Sequence, residues 1–91
     1  MSEARVRVRI RGRVQGVFFR AELRDRASSL RVKGWVSNEP DGSVEAVLEG
    51  EREQLEMLVE WCRRGPRGAV VEDVEVAWEE ARGDLSGFSV R

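Results

Sequence analysis

The chain has 91 residues, 41% of them hydrophobic, and 16 basic groups set against 17 acidic ones for a net charge of -1. That length fits one domain over residues 1–91 with one continuous core, and the charge balance argues against a partner such as nucleic acid. Histidine is absent and Cys62 is the one cysteine, which excludes histidine metal sites, phosphohistidine chemistry, Ser–His and Cys–His pairs and any internal disulfide framework.

No apolar run approaches the roughly 18 residues of a membrane helix, and no signal-like segment is present. The expectation is a soluble, cytoplasmic chain in a reducing compartment. Lys33 is the one lysine among the basic residues, and the Arg- and Glu-rich composition fits either heat adaptation or a GC-rich genome.

In chain order, Arg5 to Arg11 alternates strictly: Val6, Val8 and Ile10 share one face, the four arginines the other. This predicts a half-buried strand. Residues 12–19 hold two glycines and read as a loop. From Arg20 to about Leu30, Leu23, Ala27 and Leu30 recur at helical spacing, predicting an amphipathic helix. Val32 to Asn38 and Ser43 to Glu49 are strand-like and joined by Glu39-Pro40-Asp41-Gly42, a hairpin signal in which Pro presets one dihedral and Gly accepts positive φ.

Gly50, Glu51 and Glu53 open a second helix, whose buried stripe is Leu55, Leu58, Val59 and Cys62. Arg63, Arg64, Gly65 and Pro66 end it with cations, a flexible residue and a breaker. Val70 to Trp78 reads as a fourth strand and Phe88 to Val90 as a short last one.

The order β-α-β-β-α-β plus a terminal strand predicts an α+β, ferredoxin-like sandwich: a mainly antiparallel sheet with two helices on one face. In that topology the first strand lies between the third and fourth. Its arginines then face Glu45 and Glu49 on one side and Glu75 and Glu79 on the other, so the basic stripe has an explanation within the fold.

The loop ending in Arg20 carries the first chemical signal. A glycine-containing loop entering a helix aims several backbone N–H groups at one point, and an arginine at the helix start adds a bidentate phosphate fork. No Gly-Lys-Ser/Thr follows, so this is not a P-loop. Val14 stands where a cysteine phosphatase needs its nucleophile.

Gly12-Arg13-Val14-Gln15-Gly16-Val17-Phe18-Phe19-Arg20 resembles the first signature of the acylphosphatase family. Lys33-Gly34-Trp35-Val36-Ser37-Asn38, continuing through Pro40-Asp41-Gly42-Ser43-Val44-Glu45, resembles the second, and Gly87 to Arg91 is similar to the family's last strand. Arg31 departs from the pattern, since many relatives have Gly there. The resemblance implies hydrolysis of acyl phosphates, with inorganic phosphate as product. Arg20 and the backbone amides of Gln15, Gly16, Val17, Phe18 and Phe19 would hold the phosphoryl group, and Asn38 would orient the attacking water. It implies no metal, no cofactor, no phosphoenzyme and a monomer.

The chemistry agrees with those roles. A carboxylate leaves without a proton donor, because its conjugate acid has a pKa of about 4. Phosphoryl transfer is mostly positioning and charge stabilisation. Asn offers both a donor and an acceptor to a water molecule.

Other residues read structurally. Cys62 fits a small core residue, and Trp35, Trp61 and Trp78 fit packing aromatics. Gly34 marks a close approach by another backbone or by substrate. Glu51, Glu53 and Glu56 form a solvated helix face. Two competing functions share the fold. An RNA-binding module would need exposed sheet aromatics, where the first strand has arginines instead. A regulatory acylphosphatase-like domain would not need both Arg20 and Asn38.

Overall fold

The alternation and the two helical stripes resolve, in the computed structural model of residues 2–91, into β1 (Glu3–Arg13), α1 (Phe19–Ser29), β2 (Lys33–Asn38), β3 (Val44–Glu51), α2 (Arg52–Arg64), β4 (Val70–Glu79) and β5 (Phe88–Val90). The sheet order is β4-β1-β3-β2-β5, antiparallel except for the β2–β5 pair. This is the expected ferredoxin-like architecture with a fifth strand on its edge.

Val6, Val8 and Ile10 of β1 and Val44, Ala46 and Leu48 of β3 point into the core, all with no accessible surface. Phe19, Leu23 and Ala27 of α1, four apart, meet that face, as do Leu55, Leu58, Val59, Trp61 and Cys62 of α2. Each such aliphatic side chain contributes roughly 1.5–3 kcal/mol by leaving water. Cys62 packs as the small apolar residue its helix position implies.

β1 runs farther than its alternation indicates. Gly12 adopts φ 127 at a register shift, and a Cβ there would collide with the Val70 carbonyl. The bulge lets the strand stay paired to β4 through Arg13, where the two glycines alone read as loop. β3 likewise continues to Glu51, opposite Glu3, so α2 begins at Arg52. At Gly34, φ is 151 and a Cβ would collide with the Val47 carbonyl. The close approach there is made by the neighbouring strand.

The outer face of β1 carries the arginine ladder. Arg7 bonds Glu45 at 3.1 Å, Arg9 reaches Glu45 and Asp41 at 3.4 Å, and Arg11 pairs with Glu75 and Asp73. Arg5 and Glu49 are buried together at 3.0 Å. Glu49 also accepts the N–H groups of Arg82 and Gly83 at 3.1 and 2.8 Å, which ties the segment after β4 to the sheet. The tryptophans pack: Trp61 is buried against Phe19, and the guanidinium groups of Arg91 and Arg52 cover Trp35 and Trp78 at 4.4 and 4.0 Å.

Helix α1 ends in a Schellman arrangement. Val32 N–H donates to Ala27 O at 2.8 Å and Arg31 N–H to Ser28 O at 3.1 Å, with Arg31 at φ 59. This is the left-handed position that glycine occupies most easily.

Candidate active site

The loop between β1 and α1 is held from both ends. Val14 is buried in the core and Phe19 seals the start of α1 against Trp61. Gln15 braces the middle: its side-chain nitrogen donates to Glu39 O at 2.8 Å and Ser43 O at 2.9 Å. Those carbonyls flank the β2–β3 turn, whose Asp41 carboxylate accepts the Ser43 hydroxyl and N–H. These two bonds, with Arg9 nearby, hold the Asp41 carboxyl below its usual range. The brace fixes the loop against the turn that immediately follows Asn38.

Gly16 adopts φ 76 and Phe18 φ 66, both left-handed. Such a twist in a short loop aims successive N–H groups inward. Among the described residues, none of the N–H groups from Gly16 to Ala21 finds an internal acceptor; the first one satisfied in the helix is Glu22 N–H, on Phe18 O at 3.0 Å. Free amides and the positive helix end therefore share one region.

That region is a cavity of about 280 Å³ lined by Val14, Gly16, Phe18, Phe19, Arg20, Ala21, Arg24, Asn38 and Val90. Arg20, near the start of α1, and Asn38, the last residue of β2, open onto the same space. Of the loop residues singled out from sequence, Gly16, Phe18 and Phe19 line it. The Val17 side chain packs against the core instead, and the Gln15 side chain is spent on the turn. Among the described residues, the charged side chains lining it are the guanidiniums of Arg20 and Arg24, and none is acidic.

Two features of the site leave little or no trace in the sequence. Arg20 Nη1 donates to the backbone oxygen of Arg91 at 2.8 Å, because β5 pairs in parallel with β2 and Arg91 N–H donates to Val36 O at 2.8 Å. Arg24 lies one helical turn beyond Arg20, and only that spacing could have flagged it.

A family model described as Acylphosphatase matches residues 6–90. The chain belongs to the acylphosphatase family. The acylphosphatase of Pelotomaculum thermopropionicum is 51% identical to it over 90 residues, spanning 99% of this chain and 98% of that relative. Solved structures of acylphosphatases are equally similar in shape. That from Coxiella burnetii matches with a TM-score of 0.88 and 44% identity, over 99% of this chain and 94% of its own. That from Bacillus subtilis matches with a TM-score of 0.92 and 33% identity, over 97% and 98%. The chain matches each of these three acylphosphatases nearly end to end.

Proposed function

We propose that the chain hydrolyses acyl phosphates to a carboxylate and inorganic phosphate, with Arg20 and the loop amides holding the phosphoryl group and Asn38 placing the water. The observation that carries this reading is the opening of Arg20 and Asn38 onto one cavity, beside a loop whose amides are unpaired among the described residues. A water held by the Asn38 amide attacks phosphorus, the phosphorus–acyl oxygen bond breaks, and the carboxylate leaves as an anion. The water's proton passes to the phosphate product or to solvent. Arg20 and the amides neutralise charge on the non-bridging oxygens, which suits a loose transition state. The contact with Arg91 O holds the guanidinium in place before substrate arrives.

Metal independence is part of the proposal. The chain has no His, Cys62 is buried, and the described residues gather no group of three metal-ligating side chains. We also read the chain as a cytoplasmic monomer of one domain without nucleic-acid or membrane partners. The β1 arginines are already paired with carboxylates, and among the described residues no helix is long and apolar enough to cross a membrane.

The test is phosphate release from benzoyl phosphate in EDTA, compared with an alkyl phosphate. Turnover is expected on the first and negligible on the second, whose alkoxide needs a proton that no group here supplies. Folded Asn38→Ala is expected to lose on the order of 10²-fold in kcat while inorganic phosphate still competes. Arg20→Lys should weaken both turnover and phosphate competition, because an ammonium cannot replace the planar fork. Normal turnover in Asn38→Ala, or normal phosphate affinity without Arg20, would overturn the assignment of roles.

A further inference from the structure

The proposed mechanism uses one of the two guanidiniums at the cavity and leaves the other without a task. Arg24 follows Arg20 by four residues on α1, about 6 Å along the axis and on the same face, and it lines the same space. Its side chain is about half exposed, and its ion partner is the neighbouring Asp25, at 3.1 Å and itself 68% exposed. A solvent-exposed pair of this kind is worth little, so the guanidinium is available to a better anion. Among the described residues, no acidic side chain, Asp25 included, lines the cavity. Phe18, a residue 78% exposed, also lines the cavity, an apolar surface beside the second charge.

Resting on the phosphoryl group being seated at Arg20, we propose that Arg24 is a specificity-determining residue that recognises a second anionic group on the acyl part of the substrate. The favoured substrates are then acyl phosphates carrying a further carboxylate or phosphate away from the reacting centre. A phosphoryl group at Arg20 is already met by that fork and by the loop amides. The acyl portion then extends over the same cavity, whose other charged side chain is Arg24. An uncharged acyl group gains contact with Phe18 and Val90 but leaves Arg24 to Asp25 and water. An anionic one gains a charge-assisted hydrogen bond as well.

The test compares kcat/KM for 4-carboxybenzoyl phosphate and 4-methylbenzoyl phosphate, which are alike in length and rigidity and differ in charge. The wild-type protein is expected to favour the carboxylate by roughly three- to tenfold at low ionic strength, the range open to a partly exposed charge pair. The preference should shrink as salt is added. Arg24→Gln, a tolerated exchange on an exposed helix face, should bring the ratio close to one, and Arg24→Lys should keep part of it. Asp25→Asn should raise the ratio by removing the competing carboxylate.

An unchanged ratio in Arg24→Gln would overturn the proposal. So would a loss in Arg24→Gln that falls equally on both substrates together with weaker competition by inorganic phosphate, since that places Arg24 on the phosphoryl group. Failure of the wild-type protein on both substrates is a different result: it removes the acyl phosphate reading and this inference with it.

Discussion

Arg31 is the one position where a sequence departure becomes a measurable cost. Its φ of 59 puts a Cβ-bearing residue in the left-handed region, which costs a non-glycine residue roughly 1–2 kcal/mol. Glycine there gives back part of that gain through a more flexible unfolded chain. Arg31→Gly is therefore expected to stabilise the protein by about 0.5–1 kcal/mol in urea unfolding, with the m-value unchanged. A loss of stability would mean that Arg31 makes contacts that outweigh its backbone. At this scale the site is half legible in the sequence. Arg20 and Asn38 stand out because their motifs impose residue type and spacing. Gln15 is marked only for its backbone amide, and nothing in the spacing reveals that its side chain braces the β2–β3 turn.

Among the elements, β1 and β3 carry a charged pair that behaves as part of the core. Burial alone would push the Glu49 carboxyl up, but the N–H groups of Arg82 and Gly83 and the guanidinium of Arg5 outweigh it and set the carboxyl below its usual 4.5. A carboxyl lowered by folding contributes stability that is fully present above its unfolded value. That contribution disappears as pH falls below about 4.5 and through the lowered folded value. The urea midpoint should therefore drop between about pH 5 and 3 more steeply in the wild type than in Glu49→Gln. The variant should be less stable at about pH 6 and the two curves should converge in acid; parallel curves would show that Glu49 gains nothing from its partners. The pairing of Arg5 with Glu49 follows from strand alternation and topology, so the sequence alone exposes it. The donors from Arg82 and Gly83 are hidden there, since the segment between β4 and β5 has no periodicity to read.

Across the whole molecule, the strand order and the single helical layer follow from the sequence of elements, because a split βαβ pattern admits few arrangements. The role of the last strand does not. Three residues carry too little pattern to say that β5 pairs in parallel with β2 and delivers the Arg91 oxygen to Arg20. Cys62, with no accessible surface and its thiol pushed up to about 12 by burial, lies where α2 meets the sheet. A lone thiol so placed is a built-in clock for opening of the protein. An aromatic disulfide reagent can consume it only from molecules in which α2 has come away. At neutral pH the labelling rate should be at least about 10³-fold slower than in urea-unfolded chain, the lower end of small-domain unfolding equilibria. It should quicken along the same denaturant curve as loss of tryptophan fluorescence. Labelling that outpaces global unfolding would mean that α2 lifts by itself, and the cysteine would then time a local breathing motion of that helix rather than the life of the fold.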